Sequence, residues 1–207
     1  MKQICVFCGS SPGTNPAYVR AAEELGTLLA QRNIGLVYGG SSLGLMGVVS
    51  RSAIRAGGIV TGVIPQAMVE RGIESYGLSE VKIVGSMHER KAHMASLVDG
   101  FIALPGGYGT LEEIFEVIAW AQLGYHSKPC GLLNVEGYYD HLVAFLDQAS
   151  SQQFIEPAHR EMLLVDESPA SLLDRFFLYK PPSLDKLLSA IQHTGDLDAH
   201  NGRQNVT

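Results

Sequence analysis

Charged side chains are sparse in this chain: Asp, Glu, Lys and Arg make up 17% of its 207 residues. Four of them stand beside glycine turns and could do chemistry. Arg90 and Lys91 belong to Met87-His88-Glu89-Arg90-Lys91, and Glu112 and Glu113 follow Pro105-Gly106-Gly107-Tyr108-Gly109-Thr110. An arginine offers a planar fork that holds phosphate or carboxylate bidentately. A partly desolvated carboxylate at the mouth of a glycine turn can act as a general acid or base. If Thr110 caps a helix, Glu113 completes a T-x-x-E capping box, which accounts structurally for one glutamate. Glu112 then lies beside the apolar face of Leu111, Ile114, Phe115 and Ile118. Placement at the positive end of a helix explains either glutamate equally well. A solvated helix face is the ordinary reading of Arg90 and Lys91. What sets these two apart is that their helix leads directly into Phe101–Gly107, and so packs beside the glycine turn.

That turn is one of three. The others are Cys8-Gly9-Ser10-Ser11-Pro12-Gly13 and Gly39-Gly40-Ser41-Ser42-Leu43-Gly44. Each precedes a helix, whose bare amides and dipole make an anion site. One such turn has a purely steric explanation, but three in one sheet favour a phosphate-bearing ligand. The standard phosphate motifs are missing. Gly44 is followed by Leu45 and Met46 rather than Lys and Ser/Thr, and the spacing is not G-x-G-x-x-G. A nucleoside triphosphatase is therefore disfavoured, and a dinucleotide oxidoreductase is a weak alternative. There is no G-x-S-x-G elbow for a serine nucleophile. His88 and His93 are five residues apart and share no helix face, so no metal site is expected. Cys5 and Cys8 form a C-x-x-C, but Cys5 sits within a strand, which points the two thiols to opposite faces. The three cysteines fit a reducing compartment, which is expected to be the cytoplasm.

These residues need a scaffold, and the sequence describes one. Apolar runs at Gln3–Cys8, Gly35–Tyr38, Ile59–Ile64, Glu80–Val84, Phe101–Leu104, Pro129–Asn134 and Leu163–Val165 read as strands. Between them lie helical patterns. One starts at Asn15-Pro16, as N-cap and first helical residue. The others are Leu45–Ala56, Ser86–Val98 with Ser86 and Glu89 as a capping box, Thr110–Leu123, Tyr138–Ser150 and Ser168–Phe177. Alternating strands and helices with short connections imply an α/β fold, a doubly wound parallel sheet with helices on both faces. Residues 1–180 form one expected domain. Residues 181–207 form a C-terminal extension whose polar end lacks periodicity. A net charge of −6 speaks against a nucleic-acid partner. No apolar run reaches the roughly 18 residues of a membrane span.

Taken together, several segments resemble the LOG ("Lonely Guy") family: Val6-Phe7-Cys8-Gly9-Ser10-Ser11, Tyr38–Gly47, Met87–Lys91, Leu104–Glu113 and Gly131–Tyr139. The resemblance runs from about residue 3 to residue 178. P-G-G-x-G-T-x-x-E with an upstream Arg-Lys pair is its most specific part. One departure is Ser41, where the family often has glycine. The resemblance implies a Rossmann-like homodimer that needs no cofactor. It implies a phosphoribohydrolase that splits the N-glycosidic bond of cytokinin riboside 5′-monophosphates into base and ribose 5-phosphate. By position, Arg90, Glu112 and Glu113 would be catalytic. The nucleotide would contact Gly9, Ser10, Gly39, Gly40, Met87, Arg90, Lys91, Pro105, Gly106, Gly107, Tyr108, Gly109, Thr110 and Glu112. Glu112 is expected to stabilise the oxocarbenium-like state, with Glu113 orienting it or sharing the role. Alternatives are a general AMP nucleosidase and a non-catalytic nucleotide or cofactor carrier on the same fold.

Overall fold

A computed structural model of the chain describes residues 1–71 and 77–182. The expected extension and its polar end lie, past residue 182, outside the described residues. Seven strands build one sheet: β1 (Gln3–Phe7), β2 (Gly35–Tyr38), β3 (Val60–Pro65), β4 (Glu80–Val84), β5 (Phe101–Ala103), β6 (Cys130–Leu133) and β7 (Leu163–Asp166). Their order is β4-β3-β2-β1-β5-β6-β7, and every pairing is parallel. The doubly wound α/β expectation therefore holds.

Among the described residues the α-helices are α1 (Pro16–Gln31), α2 (Gly44–Arg55), α3 (Gln66–Val69), α4 (Met87–Leu97), α5 (Tyr108–Gln122), α6 (Asp140–Ser151), α7 (Pro157–Arg160) and α8 (Pro169–Leu178). Side chains alternate across β1 and divide the core into two layers. Ile4, Val6 and Cys8 pack with α1, α2 and α8, through residues such as Leu25, Val49 and Leu172. Cys5 and Phe7 pack on the other face with α4, α5 and α6, through Met94, Ile114 and Leu146. The two thiols thus face opposite layers. Burial pushes both thiols well above their ordinary range, which keeps them protonated at neutral pH.

Helix starts follow local chemistry. Asn15 Oδ1 accepts from Ala17 N–H at 2.9 Å, with Pro16 in the first helical position. Ser86 Oγ accepts from Glu89 N–H at 3.1 Å. The return bond of that box comes from Gly85 N–H to Glu89 Oε2, one residue before the cap. Three expectations need correcting. Helix α5 starts two residues before Thr110, so Thr110 is not its cap; Gly107 is, without a side-chain bond. Strand β3 runs one residue past the expected end at Ile64, to Pro65, which pairs with Val84. Tyr138 and Tyr139 precede α6, because a 3-10 turn at Val135–Gly137 intervenes.

The topology fixes where a ligand can sit. The chain steps outward from β1 to β4, then crosses to β5 on the other side of β1. Loops leaving β1 and β5 therefore part at the switch point, where open α/β sheets form their crevice. Gly9 N–H donates to Pro105 O across that point at 3.0 Å.

Candidate active site

Helix α4 brings Arg90 to the crevice from one side and α5 brings Glu113 from the other. Arg90 is buried because it lies on the same stripe of α4 as Met94. Its Nη1 donates to Glu113 Oε1 at 2.7 Å, and its Nε donates to Val63 O at 3.2 Å. Only 9% of the Arg90 side chain and 12% of the Glu113 side chain are exposed. Burial pushes the Glu113 carboxyl above the ordinary glutamate range, while the Arg90 charge restrains the shift. The pair is a desolvated carboxyl group opposed by the charge of a fixed guanidinium and aimed by it.

Glu112 is differently placed, which corrects the expectation that it is the desolvated carboxylate. Its side chain is 55% exposed, and it accepts from Lys91 Nζ. Lys91 Nζ also reaches Glu116 Oε1 at 3.0 Å. These neighbours raise the Lys91 ammonium above its usual range, with the Glu112 hydrogen bond as the largest cause. The buried stripe of α5 runs through Thr110, Ile114, Val117 and Ala121. Glu113, three residues after Thr110 and four before Val117, shares that side of the helix. Leu111, Phe115 and Ile118 are only partly buried, so the face they form is not the deeply packed one.

A cleft of about 300 Å³ opens over this pair. Cys8, Gly9, Ser10, Met46, Met87, Arg90, Thr110, Glu112 and Glu113 line it, together with the 107–109 turn. A second cleft of about 310 Å³ adjoins it and shares Gly9, Ser10 and Gly107. Tyr18, Tyr138, Leu45, Pro105, Gly106 and the rest of the first turn line the second cleft.

Three anion sites were expected at the turns; one helix start is open. Helix α1 is capped by its own Asn15. Helix α2 is packed on the first turn: Leu45 N–H donates to Gly9 O at 3.0 Å, and Gly44, at φ +52°, lies against the Ser10 backbone. Helix α5 differs. Its cap, Gly107, uses no side chain, and a Cβ at Gly107 or Gly109 would meet nothing within 4 Å. The first bond of the helix runs from Leu111 N–H to Gly107 O at 3.0 Å, so the amides before it have no acceptor within the helix. Among the described residues no group of three or more His, Cys, Asp and Glu could hold a metal.

Over residues 46–176 the chain matches a family model described as "Possible lysine decarboxylase". It is 54% identical over 180 residues to the cytokinin riboside 5'-monophosphate phosphoribohydrolase LOG1 of Arabidopsis thaliana, spanning 87% of this chain and 84% of that protein. The chain belongs to the LOG family. It is also 52% identical to the probable cytokinin riboside 5'-monophosphate phosphoribohydrolase LOGL6 of Oryza sativa subsp. japonica, over 92% of this chain and 76% of that one. The molybdenum cofactor carrier protein of Chlamydomonas reinhardtii shares the fold, with a TM-score of 0.62 at 21% identity over 86% of this chain and 99% of that one.

In this LOG chain most residues expected from the sequence gather at the two clefts. Gly39, Gly40 and Lys91 do not line them. Gly39 backs the Arg90 guanidinium so closely that a Cβ would collide with Nη2, and a Cβ at Gly40 would collide with Ile64. Lys91 is held by the two glutamates of α5. Ser41, where the family often has glycine, is buried, and its Oγ accepts from Leu43 N–H at 3.2 Å. Tyr18 and Tyr138 line the second cleft but were not singled out from the sequence as binding residues. The readable signal was the Tyr138-Tyr139 pair just past β6, the strand beside β5. Because Gly39 fixes the guanidinium, Gly39→Ala is expected to lower kcat by up to about 100-fold through misplacement of Arg90. Steady-state base release tests this, and an undiminished kcat would show that the position of the guanidinium does not limit the reaction.

Proposed function

We propose that this LOG-family chain is an N-glycosidase acting on cytokinin riboside 5′-monophosphates, N6-modified forms of AMP, to give free base and ribose 5-phosphate. The observation that carries this reading is the buried Arg90–Glu113 pair lining the same cleft as the open start of α5. Phosphate binding alone needs the helix start but not a desolvated ion pair beside it, which disfavours a non-catalytic carrier.

The amides that open α5 bind the 5′-phosphate, where the helix dipole adds to their hydrogen bonds. That places the ribose toward Glu113. The C1′–N9 bond breaks and its electron pair leaves with the base, so positive charge develops on the ribose. The Glu113 carboxylate stabilises this charge and takes a proton from water as the water oxygen bonds to C1′. The departing base takes a proton from solvent on its ring nitrogen, and Glu113 then returns the water's proton to solvent, which restores the carboxylate. Arg90 keeps Glu113 ionised and fixes its orientation through Oε1. Glu112 and Lys91 form the outer rim.

The deciding experiment incubates the purified protein with AMP, isopentenyladenosine monophosphate and other nucleoside monophosphates and identifies the products. Release of free base and ribose 5-phosphate, with the highest kcat/KM for the prenylated nucleotide, is expected. Higher kcat/KM on AMP would instead make the chain a general nucleosidase. We also read the chain as a homodimer. Phe115, Ile118, Leu146 and Ile155 line an apolar groove between α5 and α6. Exposed Phe145 lies on α6, and exposed Leu123 and Phe154 follow α5 and α6 in sequence. Light scattering at the mass of one chain, 22.3 kDa, would overturn the dimer.

A further inference from the structure

Every backbone carbonyl from Leu104 to Gly107 is tied down by a defined donor. Leu104 O accepts from Tyr139 Oη at 2.7 Å, Pro105 O from Gly9 N at 3.0 Å, Gly106 O from Tyr138 Oη at 2.7 Å and Gly107 O from Leu111 N at 3.0 Å. A peptide unit is planar and trans, so its C=O and N–H point in opposite directions. Pinning one carbonyl therefore aims the amide of the next residue the other way. For the Gly106–Gly107 unit, that amide is Gly107 N–H, the first donor of the open start of α5.

We propose that Tyr138 is a positioning residue for the phosphate: its hydroxyl fixes the Gly106 carbonyl, and so turns Gly107 N–H toward the cleft that takes the nucleotide's anionic end. The proposal rests on the function proposed above. Glycine at 106 and 107 makes the control necessary, because a Gly-Gly peptide has no side chain to resist a flip. A flipped unit would present a carbonyl oxygen to the phosphate instead of an amide. The tyrosine is itself fixed. Its ring meets Tyr18 edge-on, with centroids 5.4 Å apart at 76°, and meets Tyr139 at 4.9 Å and 84°. The turn beneath it is tight: Glu136 has φ +52° and Gly137 has φ +69°. Asn134 closes that turn by accepting from Tyr139 N–H and donating to Asp140 Oδ1, each at 2.7 Å.

The neighbouring tyrosine supplies an internal control. Tyr139 pins the Leu104–Pro105 unit, and proline carries no N–H for that bond to aim. Tyr138→Phe and Tyr139→Phe both remove one hydroxyl and one hydrogen bond to the same loop, yet only Tyr138→Phe frees an amide that faces the ligand. Inhibition constants for ribose 5-phosphate and for the free base should be measured in both variants and the unmodified protein. In Tyr138→Phe the ribose 5-phosphate constant and the nucleotide KM are expected to rise about tenfold, the worth of one charge-assisted hydrogen bond. The free-base constant and kcat should stay within about twofold. Tyr139→Phe should lower the melting temperature without this selective loss. Unchanged ribose 5-phosphate inhibition in Tyr138→Phe would overturn the brace while leaving the proposed function intact. Equal weakening of base and ribose 5-phosphate, or the same selective loss in Tyr139→Phe, would also overturn it. If the unmodified protein releases base from the nucleotide but is not inhibited by ribose 5-phosphate, the brace falls alone. If it does neither, the proposed function falls with it.

Discussion

Glu113→Gln is expected to lower kcat for base release by about 10²- to 10⁴-fold, the span of a positioned general base. Glutamine keeps the shape of the side chain and can still accept from Arg90 Nη1, so KM should move little. What disappears is the negative charge facing the ribose and the ability to take a proton from water. Glu112→Gln is the matched control on the next residue. Its side chain is more than half exposed, and its bond to Lys91 belongs to the class of surface pairs worth about 0–1 kcal/mol. Solvent screens the charge of Glu112 from the ribose, so its kcat should fall by less than about tenfold. Single-turnover base release in the two variants separates the roles. A larger loss in Glu112→Gln than in Glu113→Gln would reverse the assignment.

The two glutamates also show where sequence reading reaches its limit. Their presence beside P-G-G-x-G-T was legible, because charges are rare in this chain. Which of them faces inward was not. The most apolar stripe, Leu111, Phe115 and Ile118, looked like the core face, but it is only partly buried. The deeply packed stripe is Thr110, Ile114, Val117 and Ala121, on a helix that packs against β1 and β5. Burial follows which side of the helix the sheet covers, and no single helix's sequence records that side.

The strands were legible for the opposite reason. A central parallel strand is covered on both faces, so β1, β2, β5 and β6 are short continuous apolar runs. The caps at Asn15 and Ser86 were readable because one side chain and one amide decide them. Helices α3 and α7 have four residues each, too few for a period to show. The excess of expected anion sites has a similar cause. Gly44 looks like part of a phosphate turn, but its backbone is needed to pack α2 against the first turn, a contact between segments more than thirty residues apart. Local composition marks a glycine as special without saying whether a ligand or another strand's loop comes close.

Arg90→Ala is the second large expected effect, and it couples stability to catalysis. Removing one partner of a buried ion pair costs about 3–5 kcal/mol, because the other charge is left unpaired in a low dielectric. Here the survivor is a glutamate that can escape by binding a proton, which makes the cost depend on pH. Burial already lifts the Glu113 carboxyl, and Arg90 holds the lift in check. A carboxyl whose folded pKa lies above its unfolded value destabilises the fold as pH rises past the unfolded value. Without Arg90 that lift is larger. The stability gap between Arg90→Ala and the unmodified protein should therefore widen from pH 5 to pH 8, as read by urea denaturation. A gap that narrows over this range would show that Glu113 is not the group responsible. The acid limb of kcat/KM should lie above the ordinary glutamate range in the unmodified protein, and move further up in whatever activity Arg90→Ala retains. Arg90→Lys keeps the charge but cannot reach Val63 O and Glu113 Oε1 at once, so it should restore stability better than turnover. In Arg90→Ala/Glu113→Gln no buried charge is left alone. That double variant should be more stable than Arg90→Ala at pH 8 while remaining inactive, which separates the fold's need for a balanced pair from the reaction's need for an aimed carboxylate.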